Sequence, residues 1–485
     1  MTPQTHKRSA QYSAASIAIV LAIFLGYLLS VSNGFTLAAL VALSSGIFVA
    51  GVAFYSPRLG FYALLISSML GRFEIPIVWE SSLRPDQLVL LPVLVGVAIR
   101  LSTTLPLRSF WSARLSRVST TVIFAFVGLA LYLAVNALSS FLFSPQPWQS
   151  YKIVLWLVLS FLAFSATYFV VGRYVGLREA LLAILASGFI SAAVGIFFFL
   201  LFLYTGSTFG VQQDPNPKAY GTFFEANIFG SFQAFSSIGG IVLLHLGQVR
   251  GRAAGWVAIG TTLSIVALAL SFTRAAWLGF LTALLVLIFF QLRGGRFLVL
   301  ILRLVMIAFG FSLILAPIGL FPALLARFAS IGETSGSVEI RREDAQTALA
   351  EWPSSPILGL GTNSYGQRHL DPTQDYAADY LGNLFLTVLY DTGLVGLLIL
   401  LVVFGIIGGA LIRIVRNSKS SWQSASALAL LCGLAAWLVA YNSTNAFWFS
   451  YNWVILAVAV RLSQSFYQSQ SKYKKLPSLG RIGRV

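Results

Sequence analysis

Apolar runs of roughly 17–25 residues recur along this chain from end to end, each long enough to cross a hydrocarbon core of about 30 Å as a helix. Inside a bilayer every backbone polar group must find its partner within the protein, so a succession of such runs folds as a helical bundle. A membrane barrel would instead show short segments of alternating polarity. Composition agrees, because 58% of the 485 residues are hydrophobic and only 10% are charged, whereas soluble domains carry about 25% charged residues. The fold class read from this pattern is all-α: a polytopic transmembrane helical bundle of about 12–14 spans with a large, partly helical extracytoplasmic loop.

Spans are predicted near 16–32, 35–55, 59–75, 86–101, 118–142, 152–172, 179–204, 222–247, 254–272, 275–291, 297–320, 382–412, 424–442 and 445–462. The first run, Ile17–Ser30, follows Lys7-Arg8 in the manner of a signal peptide. The next run begins after only Val31-Ser32-Asn33-Gly34 with no cleavage motif, so a retained span is expected. Arg72, Glu74, Pro76, Arg84 and Pro85 crowd the junction of the third and fourth spans, which read as crossing, tilted or re-entrant.

The formal net charge is +17, yet the basic residues are dispersed singly between apolar runs rather than gathered into a nucleic-acid-binding patch. Topology accounts for them. Threading the spans from a cytoplasmic N-terminus puts most of the 32 basic residues on the cytoplasmic side, among them Arg58, Arg100, Arg173, Arg178, Arg252, Arg413 and Arg461. Of the 15 acids only Glu179 joins them, which satisfies the positive-inside bias and places the C-terminus in the cytoplasm as well.

Two extracytoplasmic segments are then long, Thr205–Gly221 and Phe321–Leu381. The second holds Glu333, Glu339, Glu343, Asp344, Glu351, Asp371, Asp375 and Asp379. Loops of that length are functional or disordered. Its stretch Val338–Trp352 has helical spacing and stops at Pro353, which points to a site-forming helix. The chain divides into N-terminal membrane helices over 1–320, the loop over 321–381, C-terminal membrane helices over 382–463 and a basic tail over 464–485 expected to lie near anionic headgroups. The single cysteine, Cys432, reads as a small packing residue.

Arg274, in Ser271-Phe-Thr-Arg-Ala-Ala-Trp277, breaks the charge bias by falling at the extracytoplasmic end of two spans with no loop between them. An arginine there snorkels to the interface, or it faces a cavity and pairs with an anion. Guanidinium geometry suits phosphate bidentately. Arg341 and Arg342 add two cations to the same side, unless they are spent on Glu339, Glu343 or Asp344. Lys152 and Lys218 attract a diphosphate or sit among headgroups, and Asp391, inside a span, holds an arginine or caps a broken helix. Trp79, Trp148, Tyr151, Trp448, Phe449 and Tyr451 read as an interface belt rather than a sugar platform. His6, His245 and His369 are far apart and no His/Cys motif is present, so no metal and no cofactor are expected.

Read in order, these residues resemble the O-antigen ligase and polymerase superfamily. The resemblance rests on Gly221-Thr-Phe-Phe-Glu-Ala-Asn227, on Ser271-x-x-Arg274-Ala275, and on Arg341 followed by Ala348-Leu349. It continues through Pro356-Ile-Leu-Gly359-Leu-Gly361, Tyr365, Asn383-Leu-Phe-Leu386 and Thr392-Gly393-Leu-Val-Gly396. It implies a membrane glycosyltransferase of the bacterial inner membrane, working on the extracytoplasmic face. The implied donor is a lipid-diphosphate-linked glycan, typically on undecaprenyl diphosphate, and the acceptor a lipid or another glycan. Arg274 and Arg341 would hold the diphosphate, an inverting displacement would need no metal, and Arg342, Lys218, Asn227, Asn383 and Tyr365 are the further substrate-binding candidates. Other polysaccharide-assembly proteins are expected partners, with membrane lipids, and nucleic acid is not.

One position departs from the pattern. Ligases of this family carry a histidine directly before the asparagine that opens the span after the loop, and here that position is Gly382. A glycine abstracts no proton, so His369, Asp379 or a neighbouring acid takes that role, or the reaction needs no base there. The missing histidine favours polymerisation or another acceptor over ligation onto a lipid A core. Two readings stand beside this one: a transporter or flippase, for which no internal repeat is found, and a protein O-oligosaccharyltransferase, which differs only in its acceptor.

Overall fold

The computed structural model describes residues 35–73, 75–77, 81–104, 118–213, 217–292, 298–299, 301–303, 305, 321–329, 336–369 and 381–475. The expected span at 16–32, and most of the one at 297–320, lie outside the described residues. The architecture is all-α apart from two antiparallel hairpins, β1 (Ile75–Ile77) with β2 (Ser81–Leu83) and β3 (Val211–Gln213) with β4 (Pro217–Ala219). The first helices are α1 (Phe35–Tyr55), α2 (Pro57–Ser67), α3 (Pro85–Thr104), α4 (Thr120–Phe143), α5 (Pro147–Val170) and α6 (Leu177–Thr205). Then come α7 (Ala226–His245), α8 (Arg252–Leu270) and α9 (Arg274–Gln291). The long segment holds α10 (Phe321–Ala329), α11 (Gly336–Glu351), a 3₁₀ turn at Trp352–Ser354 and α12 (Ser364–Arg368). The chain closes with α13 (Leu384–Asn417), α14 (Ser421–Ala440) and α15 (Ser450–Lys475). Among the described residues nine of these helices are long and apolar enough to cross a membrane, which makes the protein a multi-pass membrane bundle.

Small residues let the inner helices approach closely, as membrane packing requires. α7 is buried along nearly its whole length between α8, α9 and α14. A Cβ added at Gly240 would fall 2.0 Å from Thr261 Oγ1, and one at Gly279 would fall 2.4 Å from Ala436 O. α15 is enclosed in the same way, with Tyr451 through Val460 all buried. Its polar side chains find partners within the protein: Tyr441 donates to Asn452 Oδ1 (2.5 Å) and Gln464 Oε1 accepts from the Ser119 amide (2.8 Å).

Three expectations change. The range 59–75 holds only the eleven-residue α2, about 16 Å of helix and too short to cross. It ends where the Ser67 and Ser68 hydroxyls fold back onto Leu64 O and Leu65 O. The run at 445–462 becomes helix only from Ser450 and then continues to Lys475, so the first part of the expected tail is helical. Phe449 and Tyr451 lie in the core rather than in an interface belt. Phe449 receives the buried Arg84 guanidinium at 4.4 Å, and Arg84 also donates to Trp448 O (3.1 Å) and pairs with Asp86 (3.5 Å). A buried ion pair persists only with such added partners.

Charge separates the two ends of the bundle. Arg58 pairs with Glu179 (2.8 Å) at the start of α6, Arg178 donates to Gln248 O and covers Trp422, and Arg303 donates to Leu244 O. Those contacts gather the start of α2 and the end of α7 with the starts of α6 and α14.

At the other end α13 is broken. Gly393 sits at φ 64° and ψ −165°, and the helix around it is completed by a different stretch of chain. The amides of Leu360 and Gly361 donate to Tyr390 O (2.7 Å) and Asp391 O (3.1 Å), while Pro356 O and Ile357 O accept from the amides of Leu394 (2.9 Å) and Val395 (3.2 Å). The Pro356–Gly361 segment is thus spliced into the break, pairing backbone groups that a kink at this depth would orphan. A Cβ at Gly393 would fall 2.3 Å from Ile357 O, and one at Gly359 (φ 74°) 2.4 Å from Thr392 N. Asp391 fastens the next residue, its Oδ2 accepting from the Asn363 amide (3.0 Å), while Ser139 donates to its carbonyl (2.6 Å) and Ser150 to Thr362 O (2.6 Å). The buried acid therefore anchors the loop, close to the capping role read from sequence.

Gly393→Val is expected to destabilise the protein by about 3 kcal/mol or more, from the steric clash and the strained backbone together. Gly405→Ala, in the same helix with nothing within 4 Å of its added Cβ, is expected to leave stability unchanged or to raise it by up to about 1 kcal/mol. Thermal unfolding of the purified protein in detergent separates the two.

Candidate active site

Three helices begin at the end of the bundle that carries the splice. The amide of Leu384, first residue of α13, donates to Tyr441 O just past α14 (2.8 Å). Thr444 donates to Glu225 Oε1 immediately before α7 (2.6 Å). α9 starts beside α7, since a Cβ at Gly230 would fall 2.4 Å from Thr273 Oγ1 and 2.7 Å from Ser271 Oγ. The N-termini of α7, α9 and α13 therefore lie around the C-terminus of α14. Each helix start carries partial positive charge, so their grouping favours an anion there.

Both arginines singled out from sequence belong to this end. Arg274 is the first residue of α9 and is half-buried. Arg341 is a half-buried residue of α11, and its side chain lies over Gly382, where an added Cβ would fall 3.2 Å from Arg341 Nε and 3.6 Å from Cδ. The bare glycine leaves the guanidinium stem room beside the start of α13. Asn227, second residue of α7, is half-buried at the same end, and Lys218 is half-buried on β4, whose hairpin leads into Gly221 and α7. Arg342 is exposed.

Asn383 and Tyr365 prove to have structural partners. Asn383 is the N-cap of α13, its Oδ1 accepting from the amides of Phe385 (2.9 Å) and Leu386 (3.1 Å). Tyr365 is buried and donates to Asp344 Oδ1 (3.0 Å), and its ring stands 5.5 Å from that of Tyr390. Burial, and then the Asp344 carboxylate that accepts its proton, push the phenol above its ordinary range. With Ala348, Leu360, Leu381 and Tyr390 it forms a second small core that seats α11 against α13.

His369 lies 2.9 Å from Glu351 Oε1 and 4.5 Å, ring to ring, from Tyr365. Glu351 Oε2 in turn accepts from the Tyr390 hydroxyl. Tyr390 is eight residues beyond Gly382 along α13, about 12 Å at 1.5 Å per residue. The fold thus brings Arg274, Arg341, Asn227 and Gly382 to one end of the bundle and holds His369 two helical turns away from Arg341. Asp379 lies outside the described residues.

Residues 259–401 match the family model described as O-antigen ligase. That stretch of the chain is similar to the O-antigen ligase family. No curated protein matches the chain significantly. The matched stretch takes in Arg274, Arg341, the Pro356–Gly361 splice, Gly382 and Gly393, so it overlaps the end of the bundle just described. It supports membrane glycan ligase or polymerase chemistry and a glycosyltransferase-like enzyme that meets lipid-linked glycans.

Two residues at this end of the bundle, both outside the matched stretch, were not singled out as site candidates from the sequence. Arg72, between α2 and β1, has its guanidinium over the rings of Phe209 (4.4 Å) and Tyr220 (4.9 Å), and its amide donates to Thr222 O (3.0 Å). Glu225 stands at the N-cap position of α7, held by Thr444. Their neighbours are more than a hundred residues away in sequence, so no local spacing announces them. The acid inside Gly221–Asn227 was the one available signal.

Asn383→Ala is expected to cost about 1 kcal/mol through the lost cap, and Asn383→Asp to cost little because the carboxylate accepts the same amides. If the residue acts only as a cap, glycan transfer at a temperature below both unfolding transitions is the same in the two variants.

Proposed function

We propose that this protein transfers an oligosaccharide from a lipid diphosphate, of the undecaprenyl type, to an acceptor hydroxyl. The observation that carries the reading is the convergence of Arg274 and Arg341, both within the stretch similar to O-antigen ligases, with the N-termini of α7, α9 and α13. Loss of a diphosphate builds negative charge on its oxygens, and fixed cations and aligned backbone dipoles stabilise that charge with no reorganisation at the moment of reaction. Arg341 and Arg274 hold the diphosphate in this scheme. Arg342, Lys218 and Asn227 meet the outer parts of the substrate.

The acceptor oxygen attacks the anomeric carbon on the face opposite the diphosphate. The new glycosidic bond forms as the bond to the diphosphate oxygen breaks, and the configuration inverts. The hydroxyl proton passes to a base. We assign that role to Asp379, three residues before Gly382 in sequence, in preference to His369, which is engaged by Glu351 two turns from Arg341. Arg341 stands where a side chain at 382 would project. That arrangement fits polymerisation of the lipid-linked glycan better than ligation through a base at 382.

The basic end, with Arg58, Arg178 and Arg303, is assigned to the cytoplasm, and the arginine site to the extracytoplasmic face of a bacterial inner membrane. Both termini are then cytoplasmic.

Arg274→Ala and Arg341→Ala are each expected to lower transfer by about 10²-fold or more while membrane insertion is retained. Purified protein given only lipid-diphosphate oligosaccharide is expected to build a ladder of longer glycans. A wild-type ladder from both variants would sink the assignment, and no ladder until a separate acceptor is added would make the enzyme a ligase.

A further inference from the structure

Glu351 touches all three parts of the platform beneath Arg341. It closes α11, its Oε1 lies 2.9 Å from His369 Nε2 at the end of α12, and its Oε2 accepts from the Tyr390 hydroxyl of α13. Arg341 lies toward the other end of the same helix, over Gly382. α11 therefore runs alongside the first turns of α13 with one contact at Gly382 and another at Tyr390.

We propose that Glu351 is a positioning residue for Arg341, setting the pitch of α11 against α13 and with it the place of the guanidinium. The inference rests on the glycosyl-transfer reading of Arg341 given above. About 15 Å of helix separates the two residues at 1.5 Å per residue. A rotation of roughly 4° about Glu351 carries Arg341 through about 1 Å, and a misplacement of that size at a reacting centre costs about 10²-fold in rate. Neighbouring contacts resist sliding more than they resist pitch. Ala348 is packed in the small core, and Tyr365 reaches Asp344 one turn from Arg341, while Glu351 ties the far end of α11 to both α12 and α13. Two partners on one carboxylate also restrict its own rotation, because His369 and Tyr390 take separate oxygens.

A residue that acts through Arg341 has nothing left to do once Arg341 is gone. Glu351→Ala, Arg341→Ala and the double variant of the full-length protein are compared by kcat/KM on lipid-diphosphate oligosaccharide, with inhibition by inorganic pyrophosphate measured in parallel. The expected result is a loss of about tenfold or more for Glu351→Ala, weaker pyrophosphate inhibition, and a double variant no slower than Arg341→Ala. Tyr390→Phe and His369→Gln each remove one partner and enter the same comparison with Arg341→Ala, which keeps the test open if Glu351→Ala does not fold. Losses that multiply, or wild-type kinetics in Glu351→Ala, overturn the positioning role and leave the reading of Arg341 standing. Wild-type kinetics in Arg341→Ala overturn that reading itself.

Discussion

A break in a membrane helix is tolerable only if its freed backbone groups are paired again, and in this protein four hydrogen bonds between Pro356–Gly361 and the Tyr390–Val395 stretch of α13 supply that pairing. The remainder of the arginine-bearing end follows from it. With Gly361 and Thr362 held against α13, α4 and α5, α12 is placed next to Tyr390, and Tyr365 can reach back to Asp344 of α11. α11 in turn delivers Arg341 over Gly382. The site is assembled backbone first, and its side chains are carried to their places by that frame.

Electrostatics then exploits what the frame provides. Three helices start where α14 ends, and two arginines stand among their N-termini, while Arg58, Arg178 and Arg303 collect at the far end. A membrane protein exposes few charges, so sorting them by end produces a directional field across the bundle. An anionic ligand is drawn to the end that holds the three N-termini by the fold as well as by individual side chains.

Much of this was legible in the sequence because long apolar runs and loop charges respond to the bilayer, which acts on each segment separately. The helical class, most spans and the helix stopped by Pro353 were readable on those grounds. Features created by protein surrounding protein were not. α15 is too polar for lipid yet lies at the centre, because Gln464 is satisfied by the distant Ser119, and Asn452 and Tyr451 by Tyr441 at the end of α14. α2 looked like part of a span until Ser67 and Ser68 ended it. Gly359, Gly361 and Gly393 could be recognised as a family pattern, but their common cause, the close passage of loop and helix backbones, joins residues more than thirty positions apart. Asn383 and Tyr365 show that residues in the pattern also serve the frame, one as a cap and the other as a strut between α12 and α11.

The splice also bears on how substrates come and go. Because Leu360, Gly361, Leu394 and Val395 share one hydrogen-bonded ladder, the Pro356–Gly361 segment cannot lift away without unravelling the helix to which it belongs. These amides open to solvent together as a single cooperative unit. This part of the loop is therefore a fixed part of the bundle, and any movement that admits or releases a ligand falls to segments other than this one.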